Sequence, residues 1–122
     1  QQLYTDIFGL WTLDGNCPAD VYIGHDEERV VGFVAGYPLS YNTWYLQRAG
    51  FLQKEQHKHR NLGRYRESIE IIHAEWPGIL TMVDNHDLPA LRMDLAAGFI
   101  VVGTRQDSAG KLWVELGKMK EY

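Results

Sequence analysis

The sequence predicts a mixed α/β domain, a central sheet with helices as crossovers, and three observations predict it. Strand-like and helix-like segments follow in the order three strands, a helix, a strand, a helix and two strands. The run Ile79–Val83 is continuously apolar, the pattern of a strand covered on both faces. Pro77-Gly78 and Gly98 stand where the two periodic helical segments stop.

The N-terminal residues, 1–20, are the least defined part. Leu3, Ile7, Leu10 and Trp11 share one face of a helix over Gln2–Trp11, and Asp14-Gly15-Asn16-Cys17-Pro18 ends it in a loop. Val21–Gly24 and Arg29–Tyr37 read as a hairpin around the charged turn His25-Asp26-Glu27-Glu28. Gly32 and Gly36 inside the second strand point to a bulge or a close backbone approach. Thr43–Leu52, rich in aromatic and apolar residues, is the third strand. Gln53–Arg60 is then eight polar residues without a break. A helix is expected from about Arg64 to Trp76, with Ile69, Ile72 and Trp76 on its buried side and Ile71 beside them. Ile79–Val83 is a strand and Leu88–Ala97 the last helix, with Pro89 in its first turn and Gly98 as a left-handed stop. Phe99–Gly103, read as a buried strand with Phe99 beneath the sheet, and Leu112–Leu116 close the chain through the turn Asp107–Gly110. The whole is expected to be one domain, 1–122, with its core at 21–119.

Composition narrows the function classes. At 122 residues the chain suits a single core. Twelve basic and 16 acidic side chains give a net charge of −4, which speaks against a nucleic-acid binder and favours a cationic over an anionic substrate. A single cysteine, Cys17, excludes an internal disulfide framework and a multi-cysteine metal site, and no basic neighbour activates it. No apolar run approaches the roughly 20 residues that span a bilayer, and no signal-peptide pattern opens the sequence, so the expected setting is cytoplasmic.

Two polar stretches carry candidate chemistry. Arg60-Asn61-Leu62-Gly63-Arg64-Tyr65 follows a strand and opens a helix. A helix N-terminus presents unpaired N–H groups and partial positive charge, and a glycine there admits a phosphate to the backbone. Three arginines, Arg60, Arg64 and Arg66, lie within seven residues of an acidic chain. The plain alternative is a basic loop leading into a solvated helix. Glu55-Gln56-His57-Lys58-His59 is the second stretch. His-x-His could contribute two zinc ligands, but His25, His73 and His86 do not stand at coupled spacings, so no metal is expected. A solvated polar loop is again the simple reading. His73 and the tryptophans Trp11, Trp44, Trp76 and Trp113 read as packing residues.

The order Asn85, Ala90–Ala97, Gly98-Phe99, Gly103 and the strand Lys111–Met119 resembles the C-terminal half of the GNAT N-acetyltransferases, which acylate amines from acetyl-CoA. The likeness covers roughly 21–119 and is most specific over 85–119. It implies a mixed, mostly antiparallel sheet with flanking helices and a V-shaped splay between two parallel strands. Acetyl-CoA would lie between the strands at 43–52 and 79–83, with Phe51, Leu52 and Gln53 holding the pantetheine arm and polarising the thioester. Arg60, Asn61, Leu62, Gly63, Arg64 and Tyr65 would meet the pyrophosphate, and Asn85 would stand near the cofactor. The family's phosphate motif is Gln or Arg, two residues, Gly, one residue, then Gly or Ala. Arg60 and Gly63 match it, whereas Tyr65 replaces the second small residue. The family's acid is a tyrosine four residues before Gly-Phe, and the comparable position here holds Asp94.

Asp94 is expected as a solvated helix residue, a poor acid at neutral pH unless burial raises its pKa, so another group or water protonates the thiolate, or the chemistry is slow or absent. Glu55 and His57 are the candidate bases for the acceptor's ammonium. The helices that usually precede the hairpin are mostly missing from the sequence, so a homodimer is expected to complete the acceptor side. The resemblance therefore implies an acetyltransferase acting on a small-molecule or peptide amine, without nucleic acid, membrane or metal. The alternative is a catalytically weak or inactive module of the same fold that binds CoA or a protein partner.

Overall fold

The computed structural model describes residues 20–26, 29–56, 58 and 60–120. The expected helix at Gln2–Trp11, Cys17, Glu27, Glu28, His57 and His59 lie outside them. Among the described residues the elements are β1 (Asp20–Asp26), β2 (Arg29–Pro38), β3 (Thr43–Phe51), α1 (Asn61–His73), β4 (Gly78–Asp84), α2 (Leu88–Ala96), β5 (Ile100–Gln106) and β6 (Leu112–Met119). A short 3-10 turn at Gln53–Glu55 joins β3 to α1. The strands form one sheet in the order β1-β2-β3-β4-β6-β5. Neighbours are antiparallel except β3 and β4, whose parallel pairing needs the crossover that α1 supplies.

Helix α1 turns Tyr65, Ile69 and Ile72 inward onto Trp44, Leu46, Ile79 and Leu116 of the sheet. Burying each isoleucine contributes about 1.5–3 kcal/mol. The helix begins three residues before the expected Arg64, because the Asn61 side-chain amide is buried and donates to the Glu55 carbonyl at 2.7 Å. It ends at His73, and Trp76 packs on the core from beyond the helix.

Asp87 caps α2, its carboxylate accepting the Ala90 N–H at 3.2 Å, with Pro89 in the first turn. At the far end Gly98 takes φ +101°. Its N–H donates to the Leu95 carbonyl at 3.1 Å and that of Phe99 to the Asp94 carbonyl at 3.0 Å, the two bonds of a Schellman stop. This turn delivers Phe99 into the core, where it is 2% exposed.

The strand after Phe99 corrects the sequence reading. Ile100, Val101 and Val102 are each more than half exposed, because β5 lies at the sheet edge beyond β6. Only Phe99, before the strand begins, is buried there.

The pairing of β2 with β3 contains the irregularity that shapes the molecule. Ala35 pairs with Arg48 and Gly36 with Leu46, so Gln47 is an extra residue in β3. Gly36 is required at this bulge, since a Cβ there would strike the Tyr45 carbonyl oxygen and come within 2.7 Å of the Trp44 ring.

Candidate functional site

A cleft opens where β3 and β4 stop pairing. Their ladder runs only from Thr43↔Gly78 to Leu46↔Thr81, and the Thr81 hydroxyl closes the last rung by donating to the Leu46 carbonyl at 2.9 Å. The Gln47 bulge follows at once, and bulges bend the strand that carries them. Residues 47–51 of β3 and 82–84 of β4 then continue without pairing to each other. Between them lies a cleft of about 560 Å³, walled also by Tyr65 from α1 and by Asp87, Ala90, Met93 and Asp94 at α2.

The innermost polar pair in this cleft joins the two helices. The Tyr65 hydroxyl donates to Asp94 Oδ1 at 2.5 Å, and both side chains are buried. Among the described residues Tyr65 is the hydrogen-bond partner of the Asp94 side chain, and no cation pairs with it. Burial raises the Asp94 pKa, the Tyr65 bond works against that rise, and the Asp87 charge adds to it. Burial, together with the Asp94 charge and bond, pushes the Tyr65 phenol well above its usual range. The solvated aspartate expected from the sequence is thus a buried one, because α2 turns this position toward α1. Tyr65, expected in a phosphate loop, sends its side chain into the helix interface and leaves its backbone at the start of α1.

The start of α1 is suited to an anion. Arg60 occupies the cap position without a side-chain capping bond, and no acidic residue lies in the first turn. Leu62 and Gly63 fall among the first N–H groups, which have no carbonyl one turn before them in the helix. A Cβ on Gly63 would meet nothing within 4 Å, so the backbone is open there.

Glu55 sits behind this turn and is fully buried. Its carboxylate contacts Lys58 Nζ at 2.6 Å, Arg29 Nη2 at 3.0 Å and Arg64 Nη1 at 3.4 Å. Arg64 Nη1 also donates to Asn61 Oδ1 at 3.1 Å. The Lys58 hydrogen bond, aided by the Arg29 charge, lowers the Glu55 pKa against the opposing effect of burial. A carboxylate stabilised in its ionised form is a weak proton acceptor.

The other expected positions divide. Phe51 lines the cleft, whereas Leu52 commits its N–H to the Val31 carbonyl at 2.9 Å and Gln53 begins the 3-10 turn. Asn85 is exposed in the turn after β4, its N–H bound to the Leu112 carbonyl at 3.1 Å, and its neighbours Asp84 and Asp87 line the cleft. Asp84 is ionised readily, held by the His86 N–H at 3.0 Å and by Lys111 Nζ at 3.1 Å, which lower its pKa. His73 is a packed histidine, its Nε2 3.2 Å from the Lys118 carbonyl. Sequence reasoning missed Arg48, Asp84, Asp87 and Trp113 as cleft residues. Only Asp87, a capping type just before a helix with Pro in its first turn, carried a local signal. Among the described residues no group of three His, Cys, Asp or Glu is placed to hold a metal.

No protein-family model matches the sequence, and no curated protein matches it. Solved structures share its fold. A GNAT family acetyltransferase from Elizabethkingia anophelis with acetyl-CoA bound superposes with a TM-score of 0.70 at 12% identity, over 84% of this chain and 76% of that one. Spermidine N-acetyltransferase from Vibrio cholerae in complex with CoA and spermine gives 0.71 at 10% identity, over 86% and 68%. Ribosomal-protein-S5-alanine acetyltransferase from Vibrio fischeri gives 0.62 at 13%, over 76% and 56%. The chain has the GNAT fold: one mixed sheet carrying two helices among the described residues, with its one parallel pair at β3 and β4.

Proposed function

We propose that the chain is an N-acetyltransferase that moves an acetyl group from acetyl-CoA to a primary amine. The observation that carries this reading is the cleft that follows the last β3–β4 pair beside the start of α1. The gap presents strand backbone to an extended ligand, and α1 presents N–H groups to its phosphates. Neighbours of the same fold hold acetyl-CoA, or CoA with spermine, which supports the same substrates here.

In this proposal the pantetheine arm lies along residues 47–51, and a free strand N–H polarises the thioester carbonyl. The pyrophosphate meets the N–H groups of Leu62 and Gly63, flanked by Arg60 and Arg64, since the N–H groups of Asn61 and Arg64 are already bound to the carbonyls of Lys58 and Arg60. The open face at Gly63 fits a phosphate, and the Glu55 cluster fixes the Arg64 guanidinium beside it. Glu55 therefore serves as an anchor for cations and not as the base. The amine attacks the thioester carbon directly, so no side-chain nucleophile is needed. Asp94 is the proton donor to the departing sulfur, in the role the family gives to tyrosine. A cytoplasmic setting and a homodimer belong to the same proposal. Among the described residues no helix is long and apolar enough to cross a membrane.

Acetyl-CoA should raise the melting temperature of the purified chain, and a panel of primary amines should then release free thiol. Stabilisation without thiol release would leave a CoA-binding module of this fold. Neither response would remove the proposal.

A further inference from the structure

We infer that Asp94 carries the proton at both ends of the transfer, taking it from the acceptor's ammonium and giving it to the leaving thiolate, and that Tyr65 positions it. This rests on the acetyltransferase reading and deepens it. Asp94 is 6% exposed yet lines the cleft, and Oδ1 is held by Tyr65 from a different helix. Oδ2 is left for a ligand, since no other partner binds the carboxylate among the described residues. A second tie, from Arg66 Nη2 to the Ala96 carbonyl at 2.7 Å, joins the same two helices. The pair is therefore held against rotation, as a proton carrier must be.

The surroundings select a cationic partner. Tyr65 faces Asp94 from α1, and Asp87 bears on it from the head of α2. Asp84 lines the same cleft from the end of β4, and Arg48 from β3. Among the described residues no cation is paired with the Asp94 carboxylate in the way three are with Glu55. An ammonium entering beside Asp94 meets a buried negative charge, and burial destabilises both ions until a proton passes between them.

The steps balance. The Asp94 carboxylate takes one proton from R–NH3+, leaving R–NH2. The nitrogen lone pair forms the C–N bond as the C–S bond breaks, and the sulfur departs with its electron pair. Asp94 gives its proton to that sulfur and returns to carboxylate, while the second nitrogen proton leaves to solvent. A carboxylic acid is a far stronger acid than a thiol of ordinary pKa about 8.5, so the last transfer runs downhill.

The test uses Tyr65→Phe, which keeps the ring in the core and the backbone N–H in place, together with Asp94→Asn. Acetyl-CoA affinity is measured by calorimetry, turnover with whichever amine releases thiol, and the Asp94 carboxyl titration by carbon-13 NMR. Both variants should bind acetyl-CoA as the parent does. Asp94→Asn should lose roughly 100-fold or more in kcat, and Tyr65→Phe about tenfold with KM for acetyl-CoA unchanged. In Tyr65→Phe the Asp94 titration and the acidic limb of the rate profile should both move to higher pH, because the lost bond favoured the ionised carboxylate. A parental kcat and rate profile in either variant, or an unmoved Asp94 titration in Tyr65→Phe, would overturn the inference alone. A parent chain that fails to bind acetyl-CoA would overturn the acetyltransferase reading, and the inference with it.

Discussion

Glu55 and Asp94 are both buried carboxylates, yet the molecule treats them in opposite ways. Glu55 is surrounded by Lys58, Arg29 and Arg64, which keep it ionised. Among the described residues Asp94 has only a phenol for a partner, and burial makes its charge costly. The same functional group thus becomes an anchor for cations at one end of α1 and, in the proposal above, a proton carrier beside its second turn. Environment assigns the role, through the balance of desolvation, charge and hydrogen bonding.

Paired substitutions expose this division most strongly. Asp94→Asn should lower turnover by about 100-fold while leaving the melting temperature at or above that of the parent, because a buried charge without a cation is removed. Glu55→Gln should do the reverse to the fold, lowering the melting temperature by leaving three cations without their counter-charge. Loss of stability in Asp94→Asn and none in Glu55→Gln, by thermal unfolding, would invert the contrast.

Arg60→Glu comes next in size. It should weaken CoA binding by about 1–3 kcal/mol in calorimetry, since a charge-assisted contact is replaced by repulsion. An unchanged affinity would place the pyrophosphate elsewhere.

Gly63→Ala is smaller and separates fold from binding. The added methyl enters open space, so helix propensity should stabilise the protein by up to about 1 kcal/mol. The same methyl should weaken CoA binding if phosphate meets the backbone there. Equal CoA affinity in both proteins would show that it does not.

The smallest effect is the dependence of stability on pH. The lowered Glu55 pKa means that its contribution is present above the ordinary value of 4.5 and lost as pH falls through the lower folded one. The raised Asp94 pKa works the other way. Its contribution is complete below the ordinary 3.8 and lost as pH rises through the higher folded value. Denaturant titrations should therefore show Asp94→Asn gaining on the parent as pH rises from about 4 to 7. A constant difference would mean that the Asp94 pKa is the same folded and unfolded.

Local chemistry made much of the fold legible. Gly98, after a helical period and before Phe99, announced a left-handed stop, and the backbone shows it at φ +101° with both Schellman bonds. Gly36 announced a close approach, met by the Tyr45 carbonyl and the Trp44 ring. Ile69 and Ile72 announced the inner face of α1 by spacing alone. The valines of β5 misled because a β-branched run is equally compatible with a central strand and an edge strand. Sheet order, not propensity, decides which faces are covered. The start of α1 was hidden because its anchor, the Asn61 amide on the Glu55 carbonyl, joins a polar run to a helix of unremarkable periodicity.

The candidate site was legible only where one segment suffices. Arg60 to Arg64 are neighbours in sequence, so a basic, glycine-containing segment leading into a helix could be read directly, though not the residue at which the helix begins. Asp94 stood out only by resemblance, at a position where the family carries tyrosine. By itself the sequence determined the order of elements, the stop of α2, the apolar face of α1 and the acidic balance of the chain. Those are properties of spacing, turn chemistry and charge count, which need no distant partner. Tertiary structure alone decided that β3 and β4 stop pairing after Leu46, that Glu55 gathers cations from β2 and α1, and that Tyr65 reaches Asp94 across 29 positions. Each depends on side chains meeting through the packing of separate elements, and a carboxylate's proton affinity is set by those neighbours rather than by its own residue type.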